Sequence, residues 1–161
     1  MFAIAGVLMA QKRTVTDAEV KKVHQSALLI DTHNDFPTEQ AGKDRPEGRI
    51  DIANSPGNHT DLARLREGGV GAVFFAAYVA ASYGLGAPAY TRARQVIDII
   101  RHDIVERYPN DFVLATTAAQ IEAARRQGKI AALIGIEGGH AIQDSLDKLR
   151  EFYGRGVRYM T

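Results

Sequence analysis

Two short stretches carry the residue types that hold a metal and activate water on it. The first is His33-Asn34-Asp35, an imidazole and a carboxylate two residues apart. In an extended chain alternate side chains leave the same face, so both can grip one ion. The second is Glu137, an acid that follows seven uncharged residues, Ile130 to Ile136, and precedes Gly138-Gly139-His140. The two glycines remove side-chain bulk and let backbone approach a ligand closely. The chain has no cysteine, which excludes a disulfide framework, thiolate zinc sites and a cysteine nucleophile. Any metal must therefore be held by histidine and carboxylate. That donor set suits zinc or a related divalent ion in a hydrolytic site, and one glutamate can bridge two such ions.

Each stretch alone has a plainer reading. A His-x-Asp pair serves as a loop hydrogen bond, and a glutamate before a helix serves as a cap. What lifts the pair above that reading is where the elements put them. Thr16-x-x-Glu19 is a capping box that opens a helix running to about Gln25. Ala27 to Ile30 is a short apolar run that reads as a buried strand leading into Asp31–Asp35. From Phe36 to Asn58 the spacing of prolines and glycines predicts irregular chain. Thr60 caps a short helix carrying Leu62 and Leu65, stopped at Gly68-Gly69. Val70 to Ala81 is almost wholly apolar, a strand buried on both faces.

Pro88 suits the first turn of the next helix, whose core stripe is Tyr90, Ala93, Ile97, Ile100 and Ile104. After a brief extended segment at Phe112–Leu114, Thr117-x-x-Gln120 is a second capping box, and its helix closes at Gly128. Ile130–Ile136 is a third apolar strand and Ser145–Tyr153 a helix. Val157–Thr161 is a further strand. Apolar strands alternating with amphipathic helices make a parallel α/β sheet. Both closures of such a sheet, the open doubly wound form and the barrel, bind ligands at the carboxyl ends of the strands. His33, Asp35 and Glu137 all fall there. Asp31 and Asn34 flank them, either as orienters of a ligand or as turn formers. His140 reads as a helix-start residue, His24 and His102 as solvated helix positions, and His59 as a loop residue.

Composition narrows the classes further. The 161 residues hold 20 lysines and arginines against 19 aspartates and glutamates, a net charge of +1. That balance leaves no basic footprint for nucleic acid. With 45% hydrophobic and 24% charged residues the chain has the profile of a folded globular protein. No apolar run approaches the roughly 20 residues of a membrane span. Met1 to Ala10, apolar and followed by Lys12 and Arg13, reads as a disordered start or the remnant of an export signal. Localisation is thus cytoplasmic or exported. The chain lacks a phosphate-binding Gly-x-x-x-x-Gly-Lys loop, a dinucleotide Gly-x-Gly-x-x-Gly turn and a Gly-x-Ser-x-Gly elbow.

Ile30-Asp31-Thr32-His33-Asn34-Asp35-Phe36-Pro37 resembles the opening motif of the membrane (renal-type) dipeptidases, zinc metallopeptidases of the amidohydrolase superfamily. Three further stretches resemble the same family in the same order. They are Thr60-Asp61-Leu62 through Gly68-Gly69-Val70-Gly71, Ala132 through His140, and Gly156-Val157-Arg158-Tyr159-Met160-Thr161. The resemblance implies a (β/α)8 barrel of the TIM type and covers about Thr16 to the last residue. It implies that His33 and Asp35 bind one zinc and that Glu137 bridges to a second, with a hydroxide between the metals attacking the amide carbonyl of a dipeptide.

Members of that family are far longer. Their two further histidine ligands, a histidine beyond the strand at Val157–Thr161, and a late aspartate for proton transfer have no counterpart in these residues. A barrel of this type takes about 250 residues, whereas the sequence supplies about four strand–helix units. Residues 16–161 therefore read as the N-terminal half of a metallo-dependent hydrolase barrel, with one zinc plausible on this chain alone and no certain catalytic residue within it. Half a barrel exposes two strand edges, so self-association or a missing C-terminal half is expected to cover them. A non-catalytic remnant that keeps one metal is the alternative. A lactone- or phosphoester-cleaving amidohydrolase is a further one, disfavoured by Glu-Gly-Gly-His where a lysine would stand.

Overall fold

A computed structural model describes residues 12–41, 51–55 and 57–161. The expectation of an unstructured or exported start at 1–10 lies outside them. Among the described residues five strands form one wholly parallel sheet: β1 (Leu29–Asn34), β2 (Val70–Tyr78), β3 (Phe112–Leu114), β4 (Ile130–Glu137) and β5 (Val157–Met160). The order is β1-β2-β4-β3, and β5 also pairs with β4. β3 meets the start of β4 at Ile130–Ala132 and β5 its later part at Ile134–Ile136. Both lie on the flank that β2 leaves free. The result is an open section of a parallel barrel.

Six α-helices connect and cover the strands among the described residues: α1 (Asp17–Ser26), α2 (Phe36–Ala41), α3 (Leu62–Glu67), α4 (Ala87–Asp98), α5 (Ala118–Arg126) and α6 (Leu146–Gly154). α4 continues as a π-helical stretch, Ile99–Glu106. Its stripe, Ala93, Ile97, Ile100 and Ile104, is fully buried against one face of the sheet together with Val73, Phe75, Ile134, Ile136 and Phe152. The opposite face carries Ala72, Ala131 and Leu133, which α5 covers through Ile121 and Ala124. That cover sits at the amino ends of the strands. The carboxyl ends on the same face stay open. No helix among the described residues is long and apolar enough to cross a membrane.

Several local expectations change. β1 is not buried: among the described residues it pairs only with β2, and Leu29 and Ile30 are each more than a third exposed. An apolar run predicts a strand, but its burial depends on having neighbours on both sides. Phe36–Ala41 is a helix where irregular chain was expected. Pro37 is tolerated in its first turn, and Phe36, Pro37 and Gln40 are buried. The cap of α3 is Asp61, which accepts from Arg64 N at 2.8 Å, not Thr60. Thr60 turns its hydroxyl to Asn34 instead. The capping box at Thr16 and Glu19 forms as expected. At α5 Thr117 caps the helix, but Gln120 reaches one residue further back, to Thr116 N at 2.7 Å.

Candidate metal centre

β1 carries His33 out to the open rim and ends one residue later. Asp31, two residues earlier in the same strand, accepts from His33 N at 3.1 Å and from the Asn34 amide at 2.9 Å. Asn34 in turn accepts from Phe36 N at 3.2 Å. The two flanking residues thus shape the backbone that presents His33. β4 carries Glu137 to the same rim, and its carbonyl is fixed by Val79 N at 2.8 Å.

Gly138 and Gly139 serve the scaffold here and leave no room for a ligand against their amides. Both N–H groups donate to Thr161 O, at 3.1 and 2.9 Å, and tie the end of β4 to the end of β5. Gly138 has φ +111°, and a Cβ there would lie 2.7 Å from Val79 O. Only glycine fits both constraints.

The three candidate ligands meet. His33 Nε2 lies 3.0 Å from Glu137 Oε2 and 3.5 Å from Asp35 Oδ1. One ligand atom from each residue falls within 4.8 Å of the other two. All three side chains are 40–47% exposed, so the cluster is open to solutes. Among the described residues, neither carboxylate forms an ion pair with a lysine or arginine. An imidazole nitrogen and two carboxylates converging on one point are the donor set for a divalent cation such as zinc. The residues fit that group.

A fourth residue, missed in the sequence, completes the cluster. Tyr159 on β5 reaches across the open face and places its Oη 3.0 Å from His33 Nδ1 and 3.2 Å from Thr32 O. On the way its ring packs on Phe74 of β2, centroids 5.1 Å apart. Burial, then the charges of Glu137, Asp35 and Asp31, hold the phenol above its ordinary pKa, so it stays protonated. The available signal was Gly135. It is the cross-strand partner of Tyr159, and an isolated glycine inside a strand marks a close approach.

The other histidines stand apart from the cluster. His24 contacts Gly68 O and joins α1 to the end of α3. His102 pairs with Glu106 at 2.7 Å on the surface. His59 lies in the loop before α3. His140 lies in a short 3-10 turn, Gly139–Ile142, with a buried Nε2 that has no hydrogen-bond partner among the described residues.

Comparison with known proteins assigns the chain to a family. The family model for membrane dipeptidases, peptidase family M19, matches residues 17–161. Dipeptidase verJ of Clonostachys rogersoniana is 42% identical over 144 residues, 83% of this chain and 37% of that protein. The solved structure of dipeptidase AC, an M19 metallopeptidase, superposes with a TM-score of 0.65 at 28% identity, over 83% of this chain and 41% of its own. A metallopeptidase from Rhodobacter sphaeroides, liganded with a phosphinate mimic of the dipeptide L-Ala-D-Ala, gives 0.62 at 26% identity, over 83% and 44%. The chain spans a little over a third of the curated relative's length. A parallel section of a barrel, the four motifs in order and a match over nearly the whole sequence all agree: the chain belongs to the membrane dipeptidase family of M19 metallopeptidases.

Proposed function

We propose that this chain is the N-terminal half of a zinc-dependent dipeptidase, which hydrolyses the single peptide bond of a dipeptide once the rest of the barrel is joined to it. One observation carries the reading: His33 Nε2, Asp35 and Glu137 meet on an accessible rim and, among the described residues, no lysine or arginine pairs with either carboxylate. His33 and Asp35 would hold one zinc and Glu137 would reach toward a second. Zinc bound there supplies a Lewis acid and lowers the pKa of water toward neutrality. The chain's own part is to orient these ligands from two strands and to leave the rim open to a small substrate. The dipeptide mimic bound by the Rhodobacter sphaeroides relative supports the substrate class.

The edges support the need for a partner. Among the described residues β1 has no second strand neighbour, and an apolar groove lies along β5 and α6, lined by Leu149, Tyr153, Val157 and Met160. We assign its cover to the C-terminal half of the barrel or, in its absence, to a second copy. The same exposed surface favours a second reading, a non-catalytic remnant that folds by self-association and keeps one metal.

Three measurements on the purified 161-residue chain separate these: metal content, hydrolysis of a dipeptide with and without added zinc, and mass in solution. Zinc with turnover supports the enzyme, and zinc without turnover in an oligomer supports the remnant. A stable monomer that binds no zinc removes both.

A further inference from the structure

The ring of His33 is held at both nitrogens, and the two sides differ in kind. Nε2 faces the carboxylates of Glu137 and Asp35. Nδ1 faces the Tyr159 oxygen at 3.0 Å, and the same oxygen lies 3.2 Å from Thr32 O. A backbone carbonyl only accepts hydrogen bonds, so the single phenol proton goes to Thr32. Toward His33 the phenol oxygen then acts as an acceptor, which calls for a proton on Nδ1. A neutral imidazole protonated on Nδ1 carries its lone pair on Nε2, the nitrogen that points at the cation position.

We propose that Tyr159 is a positioning residue for the candidate metal centre, fixing the His33 ring so that Nδ1 donates to the phenol and Nε2 ligates the metal. This rests on the zinc reading above. Two independent features of the fold support it. Gly135 leaves the space the ring occupies: a Cβ there would lie 2.2 Å from Tyr159 Cζ. The phenol also crosses from β5 to β1, two strands that are not neighbours, so a single side chain joins the two edges of the sheet at the height of the site. Ligating histidines generally donate their second ring N–H to a carboxylate, a backbone carbonyl or water, a place the phenol oxygen takes here, and removing such a partner costs about 10–100-fold in metal affinity.

The test uses Tyr159→Phe, which keeps the ring over Gly135 and against Phe74 and removes only the oxygen. Zinc affinity is measured by competition with a chelating dye, and the His33 ring nitrogens are observed by 15N NMR in the zinc-loaded protein. Thermal unfolding of the metal-free proteins reports the fold. The expected result is a wild-type His33 bound through Nε2 with a slowly exchanging proton on Nδ1. In the variant, zinc affinity falls about 10–100-fold and that proton exchanges with solvent, while the metal-free melting curves stay close. Equal zinc affinity in both proteins, or zinc on Nδ1 in the wild type, overturns the role of Tyr159 and leaves the zinc reading standing. Absence of zinc binding in both proteins overturns the zinc reading, and the proposal with it.

Discussion

Gly135→Ala is the sharpest test of how the open face is built. An added Cβ would lie 2.2, 2.4 and 2.7 Å from three carbons of the Tyr159 ring, against an ordinary carbon–carbon contact of about 3.5–4.0 Å. Both backbones are fixed by strand pairing, so the relief is for the ring to swing out of the interior. That removes the hydrogen bonds to His33 and Thr32, about 1 kcal/mol each, and the contact with Phe74, about 1 kcal/mol. Replacing a strand glycine returns roughly 0.5–1 kcal/mol. The net loss is about 2 kcal/mol, a fall in melting temperature of about 4–8 °C for a chain of this size. Urea or thermal unfolding followed by circular dichroism measures it. The decisive comparison is a double-mutant cycle with Tyr159→Ala. With the ring gone, Gly135→Ala is expected to be neutral or stabilising. An equal cost in both backgrounds would mean that the glycine serves its own backbone and not the tyrosine, and the reasoning fails.

Phe152→Ala empties a fully buried site on α6 whose ring lies 5.5 Å from that of Tyr90, and is expected to cost about 3–5 kcal/mol in equilibrium unfolding. Thr117→Ala removes the hydroxyl that caps α5 and should cost about 1 kcal/mol, whereas Thr117→Ser should be nearly silent in the same assay. The Asp61 carboxyl is held below its ordinary value of 3.8 by hydrogen bonds from the Arg64 backbone and side chain. A depressed folded pKa adds stability above the unfolded value, and that stability is lost as pH falls through the folded one. Unfolding curves between pH 5 and pH 2 are therefore expected to fall less steeply for Asp61→Asn than for the wild type.

The elements were legible because each leaves a local signature. Ile130–Ile136 has no charge to put in water, and it is buried throughout as β4. The capping box at Thr16 and the cap at Thr117 mark helix starts to the residue. His33, Asp35 and Glu137 could be brought together before any coordinates because parallel strands deliver their carboxyl ends to one rim. What stayed hidden depended on neighbours. Thr60 and Asp61 are adjacent and equally able to cap, and the choice turns on the pull of Asn34 on Thr60. The exposure of Leu29 and Ile30 follows from β1 having one partner strand. Tyr159 reads in sequence as one more apolar strand residue. Its reach to His33 exists only because Gly135 clears the path and the sheet curls.

That curl links the site to stability. β1 and β4 are separated by β2, so in a flat sheet their backbones would stand about 10 Å apart. The approach of His33 to Glu137 at 3.0 Å thus depends on the barrel-like curvature and stagger of the strands. The register shows that stagger: Asn34 lies level with Phe75, Phe75 with Ile134, and Glu137 stands three residues further along. β1 is the weakest member of this arrangement. It has one strand neighbour, its apolar residues are partly exposed, and α1 before it buries none of its residues. A cation held by His33, Asp35 and Glu137 would pin β1 to β4 and favour the curled form by mass action. Hydrogen exchange of the backbone amides checks this. Without metal, Ile30–Asn34 should exchange faster than the interior of β2 and β4, since the least-packed elements open first. Saturating zinc should slow β1 selectively and leave α5, on the far end of the face, unchanged. Protection spread evenly over the chain, or none at β1, would show that the edge strand and the metal position are not coupled.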